Sequence, residues 1–206
     1  DADISLWGVK DFYVALSEIS RSPSRRVLSQ GPSRCGWRRI TAGWLDARRA
    51  SLQWNLAHGV LPVRPRLSRF NICRSGRCPA CGTSETADHA FLRCLTPLHV
   101  CSRVQTLYGL PSIDWATVRF LDPLPVARND QKQFALLVTE INFQLWIRRC
   151  RLASGGPDSG STGCLQAIRA GLRAHLGREQ SLYGALECSR RWLSSTRLFR
   201  HAQGEW

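Results

Sequence analysis

Four residues in the middle of the chain could do chemistry together: Cys78, Cys81, His89 and Cys94, spaced C-x2-C-x7-H-x4-C. Thiolate and imidazole in that number are what a tetrahedral structural zinc site takes, and four such ligands leave no open position for water or substrate. Two thiolates two residues apart reach one metal only across a tight turn. Pro79 presets φ for that turn, and Gly82 supplies a residue able to take positive φ after it. Ser84 is placed to cap a short helix from Thr86 to Leu92, with Glu85 and Asp88 favouring its N-terminal end, so that the helix carries His89 and its end delivers Cys94. So short a segment cannot build a core of its own, and a structural metal supplies on the order of 10 kcal/mol in its place. A Cys78–Cys81 redox pair needs a βαβ setting that the sequence lacks. Cys73, Cys101 and His99 are the nearest spare donors and are read as bystanders.

The elements around this segment must hold it. Val9 to Ile19 has apolar residues at helical spacing, and residues 20–36 are polar, basic and broken by Pro23, Gly31 and Pro32. Trp37 to His58 reads as helical with a break near Gly43; Trp44, Leu45, Leu52 and Leu56 form its apolar face, and Gly59 is its natural stop. A short helix carrying Leu67 and Phe70 is expected behind Pro65. After the zinc segment, Pro97 to Tyr108 is helical with Leu98, Cys101, Val104 and Leu107 on one stripe, ended by Gly109. Residues 110–126 carry three prolines and read as an ordered loop. Asp130 is the expected cap of the longest helix, Gln131 to Cys150, with Phe134, Leu137, Val138, Ile141, Leu145 and Trp146 as its stripe. Residues 153–163 have linker composition. Two last helices follow around Leu165, Ile168, Leu172 and Leu176, and around Leu182, Leu186 and Leu193.

The expected class is therefore mainly α: a helical domain with a small CCHC structural zinc element. The expected division is an N-terminal helix (1–20), a basic linker (21–36), a helical segment with the zinc-binding region (37–110, zinc element 73–94), a loop and long helix (111–152), a flexible linker (153–163) and C-terminal helices (164–206).

Charge narrows the class of partner. The 206 residues carry a formal charge of +14, and Lys10 and Lys132 are the only lysines among 29 basic residues. A GC-rich genome accounts for a choice of arginine over lysine, but the excess of charge itself favours a polyanion. Between Arg21 and Arg77 there are 13 arginines against one acid, Asp46. Arg38, Arg39, Arg48, Arg49, Arg64, Arg66, Arg69, Arg74 and Arg77 lead into the zinc segment and are read as phosphate contacts, with a plain solvated basic surface as the alternative. Trp37, Trp44 and Trp54, interleaved with them, are read as buried. The chain has nine cysteines, an odd number without the density of a disulfide scaffold, and a reducing intracellular setting is expected. It contains no methionine and reads as a processed chain or a piece of a longer reading frame. No apolar run approaches the length needed to cross a membrane, and the first residues do not look like a signal peptide.

The run from Trp54 to Leu67 (WNLAHGVLPVRPRL), followed by Cys78-Pro79-Ala80-Cys81-Gly82, Glu85-Thr86-Ala87-Asp88-His89 and Cys94, resembles the zinc-binding region of non-LTR (LINE-type) retrotransposon reverse transcriptases. The resemblance covers roughly Trp37 to Cys94. It implies that Cys78, Cys81, His89 and Cys94 are the metal ligands, and that the region lies downstream of the polymerase in the same polypeptide and helps hold template RNA or target DNA. A nuclear and cytoplasmic location follows from the same likeness.

Catalysis is not expected of this chain. A polymerase palm needs clustered carboxylates for two metal ions, and no adjacent Asp-Asp pair or Y-x-D-D-like turn is present. The restriction-like nuclease of some relatives also lacks a match, because Asp130-Gln131-Lys132 has no proline-preceded aspartate upstream, and Glu179 downstream of Pro157-Asp158 has no lysine two residues on. The reading is a non-catalytic, zinc-stabilised nucleic-acid-binding module. Its alternative is a zinc-stabilised protein-interaction module that meets an acidic partner.

Overall fold

The computed structural model describes residues 33–192. The expected helix Val9–Ile19, the linker residues before Ser33, and Leu193 lie outside the described residues.

Asp46 starts the first long helix as a cap should. Its backbone is extended, and its carboxylate accepts from the N–H groups of Arg48 and Arg49. That cap divides the Trp37–His58 stretch into α1 (Arg34–Ile40) and α2 (Ala47–Ala57). Gly59, at φ +65°, turns the chain out of α2, a conformation that suits glycine. The short α3 (Arg64–Arg69) follows, then the zinc element with a five-residue π-helical turn, His89–Arg93. Next come α4 (Leu95–Tyr108), α5 (Trp115–Phe120), α6 (Gln131–Ala153), α7 (Gly160–Tyr183) and α8 (Ala185–Trp192). No strand forms among the described residues; one antiparallel bridge joins Arg77 to Ser84.

The core is organised around α6. One apolar stripe was expected on it, but Ala135, Leu136, Thr139, Glu140 and Asn142 are buried together with Phe134, Leu137, Val138, Ile141 and Leu145. The helix is wrapped by α2, α5, α7 and the π-helical turn, which is the expected place for a helix buried all round. Several of its buried polar groups bind it to those neighbours, while Asn142 Oδ1 has no hydrogen-bond partner. The Asn142 amide donates to Gln53 Oε1 and to the Val118 carbonyl, both at 3.0 Å, and Gln53 donates to the Val118 and Arg119 carbonyls. Glu140 accepts from Arg49 of α2 and from Gln144. At Gly171 the backbone of α7 comes so close to the Glu140 carboxylate that any Cβ would collide with it.

Several expectations are corrected. The α4 stripe is rotated: Pro97, Val100, Cys101 and Val104 are buried, while Leu98 and Leu107 are exposed. Residues 110–126 are not all loop, because Asp114 caps α5 through the Thr117 N–H at 2.7 Å. Asp130 stands at the cap position of α6 without a side-chain cap bond. Helix α7 begins at Gly160, inside the stretch of linker composition, and Asp158 just before it pairs with Arg148. Leu182 and Leu186 are exposed, and Cys188 and Trp192 make the buried face of α8. Phe70 is exposed rather than packed.

Candidate metal centre and its basic surroundings

The ligand-type atoms of Cys78, Cys81, His89 and Cys94 all lie within 4.8 Å of one another. Cys94 Sγ is 3.9 Å from both Cys78 Sγ and Cys81 Sγ, and Cys81 Sγ is 3.3 Å from His89 Nε2. A tetrahedral zinc with bonds of about 2.3 Å to sulfur and about 2.0 Å to nitrogen separates its ligands by about 3.5–3.8 Å. The group fits a single zinc ion of that kind.

Local chain chemistry makes this convergence. The Cys78 N–H donates to the Thr83 carbonyl at 2.6 Å and the Gly82 N–H to the Cys78 carbonyl at 2.9 Å, closing the turn between the first two cysteines. Gly82 sits at φ +75°, the left-handed conformation its position requires. The exposed Arg77 clamps the same turn by donating to the Gly82 carbonyl at 3.0 Å. Thr86, not Ser84, caps the helical turn, accepting from the His89 N–H at 3.0 Å; Ser84 is held in the bridge to Arg77. The widened π turn then bonds the Cys94 N–H to the His89 carbonyl at 2.9 Å, and so brings the last cysteine back beside the histidine.

Cys78 and Cys94 are buried and Cys81 is exposed. Burial, and after it the neighbouring Cys78, pushes the Cys94 thiol up to about 12. The hydrogen bond with the Thr83 hydroxyl, at 3.0 Å, draws Cys81 down to about 6. Three thiols this close do not share negative charge without a cation, and a dication among them removes the conflict. Thr83 also lies 3.3 Å from His89 Nε2, which makes it a positioning residue for two of the four. Sequence reasoning passed over it. A hydroxyl two residues after the second cysteine is the signal that was available.

Glu85 was expected to favour the N-terminal end of a short helix. It is instead fully buried and forms a two-bonded pair with Arg149 of α6: Nε donates to Oε1 at 3.1 Å, and a terminal nitrogen to Oε2 at 2.7 Å. The Arg64 backbone N–H donates to the same Oε2 at 2.8 Å. Arg149 lies 4.9 Å over the Trp146 ring, and Trp146 stacks on Phe91 of the π turn with centroids 6.0 Å apart. The zinc element is thus bolted to α3 on one side and to the end of α6 on the other. Arg148 and Arg149, near the end of α6, are each buried and paired with a carboxylate.

The arginines read as phosphate contacts divide into two groups. Arg39 is engaged by Asp122, Gln131 and the Leu121 carbonyl, and Arg49 by Glu140 and Asp46. These two belong to the interior and are corrected from the phosphate set. Arg38, Arg48, Arg69, Arg74 and Arg77 are exposed, and Arg64 and Arg66 are half-buried. None of these seven has a carboxylate partner among the described residues. The nearby acids are already taken: Asp46 by Arg49, Glu85 by Arg149, Asp88 by Arg93. Of the tryptophans, Trp37 and Trp44 pack against the core. Trp54 is 46% exposed and stacks on His58 with ring centroids 3.8 Å apart, contrary to the burial expected of it.

Residues 22–100 match the family described as zinc-binding in reverse transcriptase. The chain is also 28% identical over 120 residues to the Transposon TX1 uncharacterized 149 kDa protein of Xenopus laevis, a match that spans 57% of this chain and 9% of that protein's length. No solved structure matches the chain. The Cys3His group thus lies within the stretch that is similar to the zinc-binding family of reverse transcriptases.

Proposed function

We propose that this chain is a non-catalytic nucleic-acid-binding module, folded around one structural zinc held by Cys78, Cys81, His89 and Cys94. It acts C-terminal to the polymerase of the same polypeptide and helps hold template RNA or target DNA. The observation that carries the reading is the uncompensated charge just described: the acids near the zinc element are consumed by internal pairs, and the exposed arginines are left for an external anion. Arginine forks pair with phosphate oxygens and displace condensed counterions, giving affinity with little regard to sequence. Four protein ligands leave the zinc no position for substrate, which suits a structural role. Thiolate ligands suit a reducing intracellular setting, nuclear and cytoplasmic.

The test is binding of single- and double-stranded RNA and DNA across a salt series, by the zinc-loaded chain and by a variant with Arg38, Arg48, Arg69 and Arg74 all changed to Gln. None of these four side chains holds an internal hydrogen bond among the described residues, so the fold and the zinc are expected to survive. The slope of log affinity against log salt is expected to flatten by about one unit per lost phosphate contact. An unchanged slope removes these arginines from the reading. Failure of the parent chain to bind any nucleic acid turns the basic surface toward an acidic protein partner.

A further inference from the structure

Burial obliges an arginine to find a counter-charge, and most of the buried and half-buried arginines here have one. Arg39 has Asp122, Arg49 has Glu140, Arg148 has Asp158, Arg149 has Glu85, and Arg191 has Glu179. Arg64, Arg66 and Arg119 have none among the described residues. Two of these three, Arg66 and Arg119, line one cavity of about 290 Å³ between the end of α2, α3 and the zinc element. They bracket Gly59. Arg66 donates to the Gly59 carbonyl at 3.0 Å, and a terminal nitrogen of Arg119 lies 3.3 Å from where a Cβ on Gly59 would stand.

Capping the carbonyl end of α2 explains part of this arrangement, since Arg119 also donates to the Ala57 carbonyl at 3.3 Å. It does not explain the rest. Arg119 Nε is buried without a hydrogen-bond partner, and two half-buried cations share a cavity whose one carboxylate, Asp88, is engaged by Arg93. Burial weakens the hold of both guanidinium groups on their protons, with Arg69 adding to the effect on Arg66. An anion seated between them answers both the charge and the orphaned N–H. The cavity also presents Trp115, a wall on which a sugar or base can lie.

We propose that this cavity is a phosphate pocket, in which Arg66 and Arg119 grip one phosphate group from two sides. The proposal rests on the nucleic-acid reading above in taking that phosphate from a polynucleotide backbone. Arg119 lies beyond residues 22–100, so the pocket joins the family-matched stretch to a part of the chain outside it.

The experiment compares the zinc-loaded 206-residue chain with Arg66→Gln, Arg119→Gln, the double variant and Arg119→Lys, each first shown to be folded and metal-loaded. The probes are a fluorescent single-stranded RNA oligonucleotide, its DNA counterpart, and inorganic phosphate. Each Gln variant is expected to weaken strand binding roughly tenfold and to flatten the salt slope by about one unit. The double variant should lose no more than either single one, because both arginines hold the same phosphate. Arg119→Lys, which keeps the charge but not the fork, should fall between parent and Arg119→Gln, and it carries the test if Arg119→Gln fails to fold. If the parent binds strands with a steep salt slope and the variants match it, the pocket is wrong and the nucleic-acid reading stands. If the two losses simply add, the shared phosphate is wrong. If no strand binds, but inorganic phosphate raises the melting temperature of the parent and not of the variants, the pocket takes a free phosphate and the nucleic-acid reading falls.

Discussion

Arg149 grips Glu85 from 64 residues away in the chain, through two hydrogen bonds in a buried setting, and this contact seats the zinc element on the central helix. Removing one partner strands the other without compensation, at a cost of about 3–5 kcal/mol, whereas replacing both by apolar residues costs far less. Glu85→Ala is therefore expected to lower stability by that amount, and adding Arg149→Met to recover much of it. Denaturant unfolding of the single and double variants checks this; losses that add would show that the two side chains act separately.

The metal prediction separates ligands from bystanders. Cys81→Ser is expected to abolish stoichiometric zinc, since three remaining ligands leave the site open. Cys73→Ala with Cys101→Ala should keep one zinc per chain. Cys73 is turned toward the Arg64 and Ser75 carbonyls, and Cys101 is buried in the apolar core. Some loss of stability at Cys101 is expected from the cavity left there. Elemental analysis of protein purified without chelator decides both points.

A pH dependence follows from His175. It is buried on α7 against the edge of Trp192, with ring centroids 5.0 Å apart, and neither ring nitrogen has a hydrogen-bond partner. Burial draws it down to about 4; Arg178 and Arg49 push the same way, while Glu179 and Asp46 oppose them. The unfolded chain takes up the proton near pH 6.5, and the folded chain resists it until about 4. Stability from the neutral ring is thus fully present above about pH 6.5 and declines as pH falls between these values. His175→Phe is expected to flatten that stretch of the stability profile, as read by melting temperature against pH. A profile that keeps its slope would assign the loss to other groups.

The zinc element was legible because its geometry is local. A proline, a glycine and four ligands at fixed spacing describe one turn and one helical segment, and the chain does there what short-range chemistry dictates. Helix stops with a left-handed glycine, such as Gly59 and Gly109, were legible for the same reason, whereas the expected caps Ser84 and Asp130 make no cap bond and the Asp46 cap was not anticipated. The roles of Glu85, Arg49 and Asn142 were not legible. Each depends on a partner 64 to 91 residues away, and a charged residue reads as exposed until the element that covers it is known. Periodicity failed at α6 in a related way, since a stripe can be counted only on a helix that has a wet side. The arginines divided along this same line between interior pairs and open surface.

Recognisable sequence and cooperative structure end at different places in this molecule. The family likeness stops at residue 100, but the side chain that neutralises Glu85 arrives from residue 149. A piece cut at the edge of the likeness would carry every zinc ligand and still leave a carboxylate without the cation it was folded against. The stretch matched as zinc-binding thus takes one of its buried ionic partners from α6, and a piece that keeps Glu85 paired has to extend at least to residue 149.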